Sequence, residues 1–256
     1  MTNRVPGLLV TVGLLLGACG SPSPTPQAPP PRIVTQPYYE PDLVAWALAY
    51  REAIASTLPF DVESMTSAIA LQAVEDGEAE VVILSGTPPE DWFATPVGRV
   101  ALAVIVNPDN PVRDLQIEEL RSLFAGRTES WTEVGGRDLA VQPVLPLPGE
   151  PAGETFVATV IEPSRPWPGS LYAPSISAML ELVSEDKGAI GILPVSAVTE
   201  GVRPIRVDGL LPDGASLASG DYPLAIELIA TAPQEPGSPV RDFIVWMQSQ
   251  LPRPTG

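Results

Sequence analysis

Apolar residues along this chain fall into short blocks of two kinds, and their alternation predicts strands and helices in turn. Arg32 to Thr35 reads as a short strand. Pro41 stands where the first turn of a helix tolerates proline, and Leu43, Trp46, Ala47, Tyr50 and Ile54 share one helical face before Pro59 ends the segment. Phe60-Asp61-Val62 resumes an extended pattern. Ser64, Thr66 and Ser67 are cap-type residues ahead of a helix over Ala68 to Glu75, which Gly77 stops. Val81 to Leu84 is wholly apolar, as in a strand buried on both faces, and the Ser85-Gly86-Thr87-Pro88-Pro89 loop follows it. This β-α-β-α-β order implies a parallel sheet covered by helices.

The second half repeats the style without an internal repeat. Val100 to Val106 is a continuous apolar strand that runs into the turn Asn107-Pro108-Asp109-Asn110-Pro111. Helices are expected over Ile117 to Phe124, Glu154 to Ile161 and Ser175 to Val183, and strands over Val141 to Leu145, Ala189 to Leu193 and Leu224 to Ala230. Pro146 to Gly153 reads as a loop. Val240, Phe243, Ile244, Met247 and Leu251 give a last amphipathic helix.

The first thirty residues are of another kind. Leu8 to Leu16 is an apolar run too short for a membrane span, and Leu16-Gly17-Ala18-Cys19 follows it. This end resembles the lipobox of bacterial lipoproteins, which implies a signal peptide over 1–18 and a diacylglyceryl group with further acyl chains, such as palmitate, on Cys19. Residues 19–32 are proline-rich and almost uncharged, a composition that extends as a semi-rigid spacer. Cys19 is the chain's only cysteine, so no internal disulfide forms, and the absence of histidine removes His-based triads and metal sites. With 14 basic and 31 acidic residues the net charge is −17, which argues against nucleic-acid binding but leaves open a small anion held by hydroxyls and backbone N–H groups.

A family resemblance begins at Val104-Ile105-Val106-Asn107-Pro108-Asp109-Asn110-Pro111-Val112. It continues through Leu115, Glu119-Leu120, Phe124-Ala125-Gly126, Trp131-Thr132-Glu133-Val134-Gly135-Gly136, Gly188-Ala189-Ile190-Gly191, Pro194-Val195-Ser196-Ala197-Val198, Val207-Asp208-Gly209 and Asp221-Tyr222-Pro223-Leu224. In order and spacing these segments resemble the phosphate-binding proteins of ABC transporters, over about residues 33–251. The resemblance implies an α/β fold: a two-lobed periplasmic-binding-protein-like fold of the second type, each lobe a mixed sheet flanked by helices. Lobe one is expected at about 33–100 plus 205–256, and lobe two at about 101–204. It further implies an extracytoplasmic, lipid-anchored monomer, without a cofactor, that passes phosphate or another small oxyanion to an ABC permease.

The family's binding loops carry over unevenly. Its first-loop hydroxyl pair aligns with Pro37-Tyr38, which leaves Thr35 or Tyr38 as substitute hydroxyls. Ser67 matches a family serine, with Thr66 beside it; Ser67 reads as a helix cap alone or as a cap that also donates to ligand. Ser85 matches the third loop, where Gly86 replaces a charged residue. In the fourth loop Gly149 survives, but Pro146 stands in place of an arginine, and Glu150-Pro151-Ala152 in place of donors. Proline has no N–H to offer, and Glu150 facing the cleft would repel phosphate. A sensor or adaptor of the same fold that has lost phosphate binding is therefore the alternative reading. The acidic pairs Glu150 with Glu154 and Glu90 with Asp91 read as solvated surface, so no catalytic site is expected. Replacing Cys19 by serine should move the protein from the membrane to the soluble fraction. Equal membrane-bound amounts of C19S and wild type would contradict the anchor.

Overall fold

The computed structural model describes residues 29–54 and 57–250. The signal segment, Cys19, most of the proline-rich spacer and Leu251 lie outside the described residues. In chain order the elements are β1 (Arg32–Thr35), α1 (Glu40–Ile54), β2 (Asp61–Ser64), α2 (Ser67–Glu75), β3 (Val81–Leu84), β4 (Phe93–Val106), β5 (Asp114–Leu115), α3 (Ile117–Phe124), β6 (Gln142–Pro146), α4 (Pro151–Phe156), β7 (Leu171–Ala173), α5 (Ile176–Glu185), β8 (Ala189–Pro194), β9 (Arg203–Pro204), β10 (Arg206–Val207), α6 (Gly214–Ser219), β11 (Ala225–Ala232) and α7 (Val240–Gln250).

One mixed sheet runs through the described residues in the order β2-β1-β3-β11-β4-β8-β6-β7, with β9 also on β4. The parallel group β2-β1-β3 is the one the β-α-β-α-β order predicts. A second parallel group, β8-β6-β7, lies at the other end. Antiparallel β11 and β4 join them, so the sheet as a whole is mixed.

Strand β4 is the element common to both halves. Its residues Phe93 to Ala101 pair with β11, and Leu102 to Val106 pair with β8. The change of partner leaves Leu102 opposite Pro194, which has no N–H to give. The Asp221-Tyr222-Pro223-Leu224 segment supplies what the ladder lacks. Leu102 N–H donates to the Leu224 carbonyl at 3.0 Å, and the Tyr222 hydroxyl donates to the Leu102 carbonyl at 2.8 Å. β4 starts seven residues before the apolar run at Val100; Phe93 to Pro96 is partly exposed and carries a proline, which hides its extended backbone from the hydrophobic pattern.

Strand alternation divides the second half into two layers of core. Val104 and Val106 join the main cluster with Leu120, Phe124 and Phe156. Ala103 and Ile105 face the opposite way, onto Met179 and Val183 of α5. In the first half α7 covers α1 through Tyr50, Phe60, Phe243 and Trp246, with the Phe60 and Phe243 rings 4.8 Å apart.

The family-like segments meet in space. The Trp131 indole donates to the Gly188 carbonyl at 2.9 Å, joining two of them. A Cβ on Gly188 would lie 2.2 Å from the Ala140 carbonyl oxygen, so only glycine fits. Asn107 and Asn110 shape their turn by accepting the N–H groups of Asp109 and Val112. The helix expected over Glu154 to Ile161 starts earlier and changes character. α4 begins at Pro151, whose missing N–H suits a first helical position, and a π-helical turn covers Val157–Ile161. Pro41 falls second in α1, which continues from a 3-10 turn over Pro37–Tyr39.

Tyr222 is buried, and phenylalanine keeps its ring while orphaning the Leu102 carbonyl. Y222F should lower stability by about 1–3 kcal/mol, read as a lower urea midpoint at an unchanged slope. An unchanged midpoint would show that the carbonyl finds another partner.

Candidate functional site

In an open α/β sheet, the loops that leave the carboxyl ends of parallel strands collect side chains in a crevice. Here two such edges come together. At the first, β1 is followed by Gln36, β2 leads through Thr66 into α2 at Ser67, and β3 is followed by Ser85. At the second, β6 leads to Glu150 ahead of α4, and β8 leads to Ser196.

Gln36 is the hub of the first edge. Its amide nitrogen donates to the Ser67 hydroxyl at 2.9 Å. Its carbonyl oxygen accepts the Ser85 N–H at 3.1 Å and lies 3.4 Å from the Ser85 hydroxyl. The Tyr39 and Ser85 hydroxyls are also paired, at 2.9 Å. Gln36 is only 2% exposed and Ser85 9%, so little water competes for these bonds.

Of the hydroxyls expected from sequence, Ser67 and Ser85 are thus brought together through Gln36. Ser67 is the first residue of α2 and not its cap; Thr66 holds the cap position, is exposed, and makes no side-chain capping bond. Among the described residues, the starting N–H groups of α2 therefore have no side-chain acceptor. Thr35 is turned into the sheet, where its buried hydroxyl donates to the Ile83 carbonyl at 2.8 Å, so that hydrogen is not free for a ligand. Gly149 is exposed, with a positive φ of 88°, and its N–H donates to Glu154 at 2.9 Å. Glu154 is exposed, as its reading as a surface acid expects, and this bond ties it to the loop before α4.

Tyr38, Asp42 and Glu150 set the electrostatics where the two edges meet. Each is a residue with a buried side-chain oxygen that has no hydrogen-bond partner: Tyr38 Oη, Asp42 Oδ2 and Glu150 Oε1. Burial pushes the Asp42 carboxyl up to about 6, opposed in part by a hydrogen bond from Ser196. Burial also raises Glu150 above the usual carboxylate range. The Tyr38 and Tyr39 phenols are raised first by burial and further by the negative charge of Glu150, which places that acid within electrostatic reach of both. Serine hydroxyls and backbone N–H groups thus stand on one edge, with the carboxyls of Asp42 and Glu150, both raised by burial, beside them and no lysine or arginine in the set. Sequence reasoning missed Gln36, Tyr39, Asp42 and Ser196. Gln36 alone left a local signal, as a polar residue directly after a buried strand and before a proline.

The family described as PBP superfamily domain matches residues 21–250. The phosphate-binding protein PstS of Bacillus subtilis (strain 168) is 28% identical over 155 residues, which cover 60% of this chain and 51% of that protein; the chain spans about half the length of this relative. An ABC-type phosphate transport receptor from Vibrio cholerae superposes with a TM-score of 0.64 at 21% identity, over 85% of this chain and 93% of the other. A protein of Clostridium perfringens crystallised with bound phosphate gives a TM-score of 0.71 at 18% identity, over 85% of this chain and 91% of the other. These likenesses agree with the α/β mixed-sheet fold expected from sequence.

The Asp42 carboxyl yields a prediction independent of ligand. The folded protein holds its proton more tightly than the unfolded chain does, so ionisation weakens the fold as pH rises through about 6. D42N, which cannot ionise, should be more stable than wild type at pH 8, by on the order of 2 kcal/mol. The gain should shrink as pH falls through about 6 and vanish below the ordinary value of 3.8. Thermal melts of both proteins across this range check it; a gain independent of pH would contradict it.

Proposed function

The chain belongs to the PBP superfamily domain family, and from that membership we propose that it is the solute-binding component of an ABC transporter, taking phosphate or a closely similar oxyanion. The observation that carries this reading is the convergence of two carboxyl edges. Ser67, Ser85 and the uncapped start of α2 supply donors from one, and Glu150 and Ser196 approach from the other. An oxyanion needs donors and tolerates neutral acids. The raised Asp42 and Glu150 carboxyls donate hydrogen bonds when protonated, and accept one from a protonated ligand when ionised. The named relatives, described as a phosphate-binding protein and a phosphate transport receptor, support phosphate as the first ligand to test.

In this reading the lobes are residues 33–100 with 205–256, and 101–204. The bounds are approximate, and the exchange of β11 for β8 along β4, between Ala101 and Leu102, supports a division near there. Gln36, Tyr38 and Ser85 are buried, so ligand enters only when the edges part. No helix among the described residues is long and apolar enough to cross a membrane. Lipid on Cys19 and the spacer over 19–32 would then hold a single copy of the binder on the outer side of the cell membrane, beside the permease it serves, binding without catalysis.

Isothermal titration with phosphate, sulfate, molybdate and tungstate tests the reading. Phosphate should give heat, and the double variant S67A/S85A should bind it at least about tenfold more weakly, the loss of two donors at roughly 1 kcal/mol each. No heat with any of the four anions would contradict the function.

A further inference from the structure

We propose that Gln36 is an internal stand-in for the ligand, a specificity-determining side chain whose carboxamide a bound oxyanion must displace; this rests on the oxyanion reading above. Three observations carry it. Gln36 occupies the carboxyl edge of the central strand of the β2-β1-β3 group, where that edge collects its loops. Its carbonyl oxygen takes the Ser85 N–H at 3.1 Å and faces the Ser85 hydroxyl at 3.4 Å, two donors converging on one oxygen as they would on an oxygen of phosphate. Its amide group reaches across 31 residues of sequence to the Ser67 hydroxyl, engaging both serines with one side chain.

The chemistry of the stand-in sets what replaces it. A carboxamide oxygen is a neutral acceptor. Hydrogen bonds to an ionised acceptor are about twice as strong as neutral ones, so a charged oxyanion outcompetes the amide for the same donors. A neutral polyol or sugar offers acceptors no stronger than the amide and gains nothing by displacing it. Gln36 thus raises the threshold for entry without adding charge. The affinity measured for any anion is reduced by the fraction of molecules in which the amide has swung away.

Inorganic phosphate titrated into the full chain separates the possibilities. Q36A, which removes the competitor and leaves both serines, should bind phosphate about tenfold more tightly than wild type, as expected when a competing internal state is abolished. Q36E keeps the shape but places a carboxylate among the donors, and should lose phosphate binding while its urea midpoint shows it folded. Q36A binding equal to or weaker than wild type, or wild-type affinity in Q36E, would overturn the stand-in. Failure of wild type, Q36A and Q36E alike to bind phosphate would instead overturn the oxyanion reading on which it rests. A second readout needs no variant: the Gln36 side-chain NH2 protons should exchange slowly in the free protein and at least about tenfold faster with phosphate bound, as a buried bonded group released to solvent does. Unchanged exchange under saturating phosphate would overturn the proposal.

Discussion

The continuity of β4 through both halves of the sheet is the constraint on which the rest of the molecule depends. A strand that changes partners in mid-course must satisfy its backbone at the exchange point, because a buried carbonyl without a donor weakens the fold by more than a typical hydrogen bond strengthens it. Leu102 is that point. Pro194 offers it nothing, and the chain returns more than a hundred residues later to serve it with the Tyr222 hydroxyl and the Leu224 carbonyl. The same return delivers β11, which fixes β4 against β3 and so fixes the first parallel edge relative to the second. The placement of Gln36, Ser67 and Ser85 opposite Glu150 and Ser196 is a consequence of that backbone arrangement.

Much of this fold is legible in the sequence because its strands are buried on both faces. β3 and β8 read as short apolar runs, and the helices keep an apolar face. The first part of β4 is not legible, since Phe93 to Pro96 alternates in exposure and contains a proline, a pattern that elsewhere marks a loop. α4 is misplaced from sequence for a related reason. Pro151 reads as an obstacle in a loop but acts as the first residue of a helix.

The site was less legible than the fold. Ser67 and Ser85 are found by resemblance, but what they do depends on a glutamine 31 and 49 residues away in sequence, and no local pattern announces that pairing. Thr35 and Gly149 look like donors along the chain, yet one hydroxyl is turned into the sheet and one N–H is taken by Glu154. Glu150 read as an anion facing an anion. Its burial adds to that picture: desolvation raises its pKa above the usual carboxylate range, and its negative charge in turn raises the Tyr38 and Tyr39 phenols. A site without arginine or lysine can still suit an oxyanion where neutral donors are dense.

A crystal structure of the protein grown with phosphate at about pH 6, near the value to which burial pushes Asp42, tests the central claim most directly. The account predicts tetrahedral density between Ser67, Ser85 and the Glu150 loop, with the Gln36 carboxamide turned out of its present bonds. Density at any other place, or phosphate bound while Gln36 still joins the two serines, would contradict it.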